Sequence, residues 1–369
     1  MNLSLQKIFY VIASLIGFFA ILILAKSVLI PIAFAFLIAF ILFPVVKKLE
    51  SWGISTIMSA FLSILAMFLV IGGGIFLFSN QIIQLSENLT DFKTKMLNIF
   101  ADATLFFNKN FEFLPQLEKG DLLDKIKNWL NKSAGTLLSQ TFSSTANIIF
   151  GFVTAIIYTF LILIYKNGLV RALVSFYPPE HRERALKMLK SVQQVGQQYL
   201  FGMLVIISIL GLLNSTGLWI IGIDSPFLFG FMAAVLALIP YIGTFLGAGL
   251  PVLYSLITYD SLWIPIIIVL FFWFVQFIEG NFLTPKIVGG NLKINALTSI
   301  LSIIIGGAVW GVAGMIVFLP FAAMLKVVCQ EYENLKPIAL LIGEENYKKE
   351  EKREGLAGKL LRKIKSRFL

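Results

Sequence analysis

Apolar runs at residues 8–25, 28–46, 54–78, 148–165, 200–223 and 262–278 follow one another along this chain, each close to the length of a helix that crosses a lipid bilayer. That succession constrains the fold more than any other feature. Charged residues make up only 14% of the chain, against roughly 25% in soluble domains, and 35 phenylalanines have no soluble interior large enough to hide them. The expected class is an all-α integral membrane protein with about eight membrane segments.

The net charge of +10 does not point to nucleic acid. Basic residues cluster in short links between apolar runs and in the C-terminal tail, the pattern that orients membrane proteins with Lys and Arg on the cytoplasmic side. Both termini are therefore expected in the cytoplasm. The first run, behind Lys7, ends in ILAKS without a convincing cleavage site, and reads as a retained anchor. Cys329 stands alone and reads as a small buried hydrophobe.

Residues 1–79 form the N-terminal membrane helices. Only Lys26 and Ser27 separate the first two runs, which predicts a tight helical hairpin. Residues 80–147 are polar and balanced in charge. Leu85, Leu89, Phe92, Met96 and Ile99 recur at helical spacing, as do Leu122, Leu123, Ile126, Trp129 and Leu130, so a small helical insertion outside the bilayer is expected there, on the outer side. Residues 148–223 hold two further runs around a cytoplasmic basic helix at 167–199, with Pro178 and Pro179 marking its start. Residues 329–369 form a basic cytoplasmic tail, and Leu360, Leu361, Ile364 and Phe368 against Lys359, Arg362, Lys363, Lys365 and Arg367 predict a helix in the headgroup region.

Residues 224–328 differ. Two segments, 226–258 and 296–328, are each much longer than the roughly 20 residues of a simple span. The first is broken by Pro240, Gly243, Gly247, Gly249 and Pro251, the second by Gly306, Gly307, Gly311 and Gly314. Two topologies fit: kinked single crossings, or re-entrant hairpins that turn back. Glycine pairs at GxxxG spacing (Gly243 with Gly247, Gly307 with Gly311) suit close helix packing, and two breaks flanking one span also suit a moving, site-forming unit. Asp224 and Asp260 sit at run ends and read as interfacial charges, and Gln276 as a hydrogen bond between helices.

Catalytic chemistry has little support. The only histidine, His181, lies in the basic stretch, no Cys/His cluster offers a metal site, and no phosphate-binding loop encodes ATP use. No cofactor is implied. The chemistry-bearing stretch is FIEGNFLTPKIVGG, residues 277–290. Glu279 offers a cation or proton ligand, Asn281 can orient a polar solute, and Lys286 can neutralise Glu279. Thr284 adds a hydroxyl, while Pro285, Gly289 and Gly290 free backbone groups by interrupting the helix. Irregular backbone at membrane depth must be buried in protein or line a cavity. Around the other break, Pro240, Tyr241, Gly243 and Thr244 are candidate site residues, with Gly247, Pro251, Gly289, Gly290, Gly306, Gly307, Gly311 and Gly314 as candidate hinges. The residues alone leave a binding site and a solvated surface link equally open.

ALIPYIGTFLGAGLPVLYSL, QFIEGNFLTPKIVGGNLKINALTSI and GGAVWGVAGMIVFLPFAAMLKVV resemble, in order and spacing, three blocks of the autoinducer-2 exporter family of bacterial membrane permeases. The layout agrees over nearly the whole chain, most specifically at 238–326. One departure is Asn295 and Ala296, where many members carry His-Pro. The resemblance implies a multi-pass transporter of the bacterial cytoplasmic (inner) membrane, and favours the site reading of 279–286. Its members resemble exporters of autoinducer-2, and others resemble sodium or lithium/proton antiporters.

The expected function is secondary transport without ATP. The expected partners are the lipid bilayer, a small polar solute or monovalent cation, and further copies of the chain in a homo-oligomer. The alternatives are an antiporter of the same family and a non-transporting scaffold that uses residues 80–147 to hold a partner.

Overall fold

The computed structural model describes residues 5–81, 83, 149–240, 242–259, 261–289 and 294–343. Most of the polar insertion, Tyr241, Asp260, Gly290, Asn291, Lys293 and the basic tail lie outside the described residues. Those described are helical almost throughout, as expected of an all-α membrane protein.

Helix α1 (Leu5–Leu24) and α2 (Lys26–Ser51) do not form the tight hairpin expected from their two-residue link. α1 is exposed along most of its length, including Phe9, Ile12 and Ile16. At the break the Ala25 N–H still donates to Ile21 O at 2.9 Å, and the Leu29 N–H to Ala25 O at 2.9 Å. The link holds no glycine to supply a positive φ, so Ala25 (φ −94°, ψ 16°) interrupts the helix without folding α1 down along α2. α3 (Thr56–Gln81) and α4 (Ile149–Ser175) follow. Leu42, Val46, Ala60, Ile64 and Leu163 make a core joining α2, α3 and α4. At its edge Lys166 Nζ lies 2.7 Å from each oxygen of the Glu50 carboxylate.

The basic stretch is divided between the end of α4 and the start of α5 (Arg182–Ile221). Pro178 and Pro179 separate the two helices, and a single helical turn at Pro179–His181 leads into α5. Nothing then interrupts α5 for 40 residues, so basic and apolar portions form one rod about 60 Å long. α5 is the hub: Tyr199, Ile206 and Leu210 pack with Ala234, Val275, Val288 and Ala323 from the helices that follow.

The two long segments both turn back. The first splits into α6 (Pro226–Leu236) and α7 (Ile242–Thr258). Eleven residues rise only about 16 Å, short of a hydrocarbon core of about 30 Å. The pair is antiparallel: Gly243 lies against the Leu236 carbonyl and Gly247 against Ala233, where a Cβ would come within 2.9 Å of the Ala233 Cα. The second splits into α9 (Ala296–Trp310) and α10 (Val312–Glu331) at Gly311, whose φ of 62° and ψ of −141° reverse the chain. Gly306 faces Gly314, and Gly307 faces Met315. Of the two topologies the sequence left open, these are the hairpins.

Between them α8 (Trp263–Ile278) continues into wide, π-type turns at Glu279–Leu283 and Pro285–Gly289. This wider segment packs on α5 at Gly202, which lies beside Val288 and the Ile287 carbonyl. A last short helix, α11 (Lys336–Ile342), returns to the start of α9.

Candidate functional site

Where α5, α6, α7 and α8 meet they form an open cleft of about 640 Å³. Its walls are mostly apolar. Four polar side chains line it: Asn214 from α5, Thr244 from α7, and Gln276 and Glu279 from the end of α8. A large apolar pocket with a few convergent polar groups is the usual form of a small-molecule site.

Each polar group is placed by a local feature of the sequence. Glu279 is half-buried and begins the wide-turn segment, so it ends the regular ladder of α8. Wide turns inside helices recur at functional sites. Gln276, one turn earlier, hydrogen-bonds its carboxylate. Thr244 reaches the cavity because Gly243 lets α7 lie directly on α6. Asn214 is 4% exposed and its Oδ1 has no hydrogen-bond partner; with Ser215 and Thr216 it interrupts the apolar run of α5. A buried polar atom left unpaired costs about 1–3 kcal/mol, so its retention needs a reason.

Of the candidate site residues, the structure brings Glu279 and Thr244 to this cavity, which Gln276 and Gly249, singled out on other grounds, also line. Asn281 is exposed and donates from Nδ2 to the Phe277 carbonyl at 2.8 Å, within its own turn. Thr284 is half-buried, and Pro285 and Lys286 are exposed; none of the three lines the cavity. Lys286 does not neutralise Glu279: among the described residues the two form no ion pair, because the wide turns carry Lys286 away from the cavity side. Pro240 lies in the turn between α6 and α7, half-buried. Pro251 is buried inside α7. Gly243, Gly247, Gly306, Gly307 and Gly314 are packing contacts within the two hairpins, Gly311 is a turn, and Gly289 ends the wide-turn segment. Tyr241 and Gly290 lie outside the described residues.

Three residues carry more than the sequence reading assigned them. Asn214 was overlooked, although an amide in the middle of an apolar run is itself the signal. Gln276 was read as a link between helices and instead holds Glu279. Asn295, noted only as a departure from His-Pro, caps α9 by accepting from the Thr298 N–H at 2.8 Å and ties it to α11 by donating to the Leu341 carbonyl at 2.7 Å. Cys329 is buried, as expected. Lys326, buried beside Gly343, was not singled out.

A profile of the family described as AI-2E family transporter matches residues 12–334. YrrI of Bacillus subtilis (strain 168) is 28% identical over 314 residues, covering 82% of this chain and 86% of YrrI. YueF of the same organism is 28% identical over 307 residues, covering 80% of this chain and 82% of YueF. The AI-2 transport protein TqsA of Escherichia coli (strain K12) is 23% identical over 329 residues, covering 87% of this chain and 91% of TqsA. With its run of membrane-spanning helices and a match over nearly its full length, this chain belongs to the AI-2E transporter family.

Proposed function

We propose that the protein is a secondary transporter of the bacterial cytoplasmic membrane that exports autoinducer-2 or a similar small polar molecule. Its binding site is the cavity lined by Asn214, Thr244, Gln276 and Glu279. The observation that carries this reading is the convergence of these polar groups in an apolar cleft beside a helical hairpin that turns back. The relative TqsA, an AI-2 transport protein, supports the solute class. Transport draws on an ion gradient or the solute's own gradient. The α6–α7 and α9–α10 hairpins, carried on α5, move against α2–α4.

Orientation follows from charge. Lys47, Lys48 and Lys166 at the ends of α2 and α4 share one end of the molecule with Arg182, Arg184, Lys187 and Lys190 at the start of α5. The positive-inside tendency makes that end cytoplasmic.

Uptake of autoinducer-2 into inverted membrane vesicles tests the proposal. Uptake should depend on the protein and fall sharply in Glu279→Gln. Vesicles that accumulate none under any imposed gradient overturn it. A second reading, sodium or lithium/proton antiport, is favoured by one feature: Glu279 is the only carboxylate lining the cavity among the described residues. It predicts that sodium dissipates a proton gradient in the same vesicles and that Glu279→Gln abolishes the response.

A further inference from the structure

The cavity is asymmetric in charge. Among the described residues it is lined by one carboxylate, Glu279, two amides and a hydroxyl, and by no lysine, arginine or histidine. The nearest basic residue along the chain, Lys286, is outside it. A carboxylate or phosphate entering this cleft would leave water for apolar walls, meet no cation and lie beside the Glu279 carboxyl group. Each of these costs free energy.

Asn214 adds the positive half of the selection. Asn214 lies on the cavity wall, 4% exposed as a residue, with its Oδ1 buried and unpaired, so α5 already bears the cost of an unsatisfied amide oxygen. An amide both donates and accepts, and so does a hydroxyl, so hydroxyl groups satisfy Asn214 whichever way its amide is turned. Glu279 accepts from a hydroxyl as well. Phe272 and Trp273 supply apolar faces for the carbon skeleton between hydroxyls.

We infer that the cavity selects small, hydroxyl-rich solutes that carry no negative charge, with Asn214 and Glu279 as the specificity-determining residues. This rests on the cavity being the transport site, as proposed above. It adds the charge class of the cargo and the role of Asn214.

The test is a matched pair of radiolabelled probes, ribitol and ribonate, which share a five-carbon skeleton and differ in one terminal carboxylate. Entry into proteoliposomes containing the full chain is measured for each. The wild type should admit ribitol at least about tenfold faster than ribonate, the discrimination one unpaired buried charge supplies. Glu279→Gln, which removes the acidic group and keeps the shape, should narrow that ratio to about twofold. Asn214→Leu should slow ribitol entry about tenfold at an unchanged melting temperature.

If the wild type admits ribonate as fast as ribitol, the inference is wrong while the transport proposal stands. If Glu279→Gln leaves the ratio unchanged, Glu279 has no part in selection, and the inference is again overturned. If the wild type admits neither probe but accumulates autoinducer-2, the hydroxyl-based selection fails and the transport proposal survives. If it moves none of the three, both fail together.

Discussion

Tyr259, just beyond α7, closes the base of the α6–α7 hairpin on Asp224, just ahead of α6. Its hydroxyl oxygen lies 2.9 Å from the Asp224 backbone nitrogen, from which it accepts, and 3.0 Å from Asp224 Oδ2. The Gly222 carbonyl is a second acceptor for its proton, at 3.1 Å. A single phenol therefore ties the entry of the hairpin to its exit. Tyr259→Phe should lower stability by about 1 kcal/mol, read as a drop in melting temperature in detergent. Burial, together with the Asp224 carboxylate, pushes the Tyr259 hydroxyl up to about 12. A raised value means the folded state holds the proton more tightly than the unfolded state. The stabilisation is thus complete below the ordinary tyrosine value of about 10 and is lost as pH rises toward 12. The difference between wild type and Tyr259→Phe should shrink over that window, and a difference that stays constant would show that the hydroxyl proton is not what binds.

The α9–α10 hairpin depends on Gly306 and Gly314 facing each other with no side chain between them, since a Cβ on Gly314 would overlap the Gly306 carbonyl. Gly314→Val should destabilise by about 1–3 kcal/mol or prevent assembly, through overpacking. Gly72→Ala in α3, where a Cβ meets nothing within 4 Å, should be neutral or slightly stabilising. Equal loss in both variants, by thermal unfolding or yield of folded protein, would remove the packing argument.

The Asn295 side chain caps α9 by accepting from the Thr298 N–H and ties it to α11 through two hydrogen bonds, to the Leu341 and Gly343 carbonyls. Asn295→Ala should cost about 1–2 kcal/mol through the lost cap alone. Asn295→Asp keeps the cap but cannot donate. Hydrogen exchange at residues 336–342 should rise in both variants, because both release α11. Protection unchanged in Asn295→Asp would place the tie elsewhere.

Lys166 and Glu50 form a part-buried pair between α4 and α2, their side chains 13% and 25% exposed. Lys166→Met leaves a carboxylate without its partner and should cost about 1–2 kcal/mol, whereas Lys166→Met with Glu50→Gln should recover most of that loss. A double variant no more stable than the single one would mean that the ammonium stabilises this junction by packing rather than by charge.

The helical membrane class was legible because hydrophobic run length is a one-dimensional property: enough consecutive apolar residues must find lipid, whatever their neighbours are. The breaks at 236–242 and 310–312 were legible for the same reason, since Pro240 and Gly311 act on their own backbone. Whether those breaks kink a helix or fold it back was not. That depends on Gly243 meeting Leu236 and Gly306 meeting Gly314, contacts between halves of a segment that exist only once the helices pack. The expected N-terminal hairpin failed for the converse reason, because a short link permits a turn without supplying partners to hold it.

The candidate site divides in the same way. Glu279 was found from the chain because a carboxylate at the end of an apolar run is anomalous on its face. Asn214 was not, because it is 65 positions away and joins Glu279 only through the packing of α5 with α8. Lys286, seven residues from Glu279, is turned aside by the wide helical geometry between them. Proximity along a chain fixes backbone options. Proximity across a cavity is decided by which helix faces touch, and that was settled by tertiary packing alone.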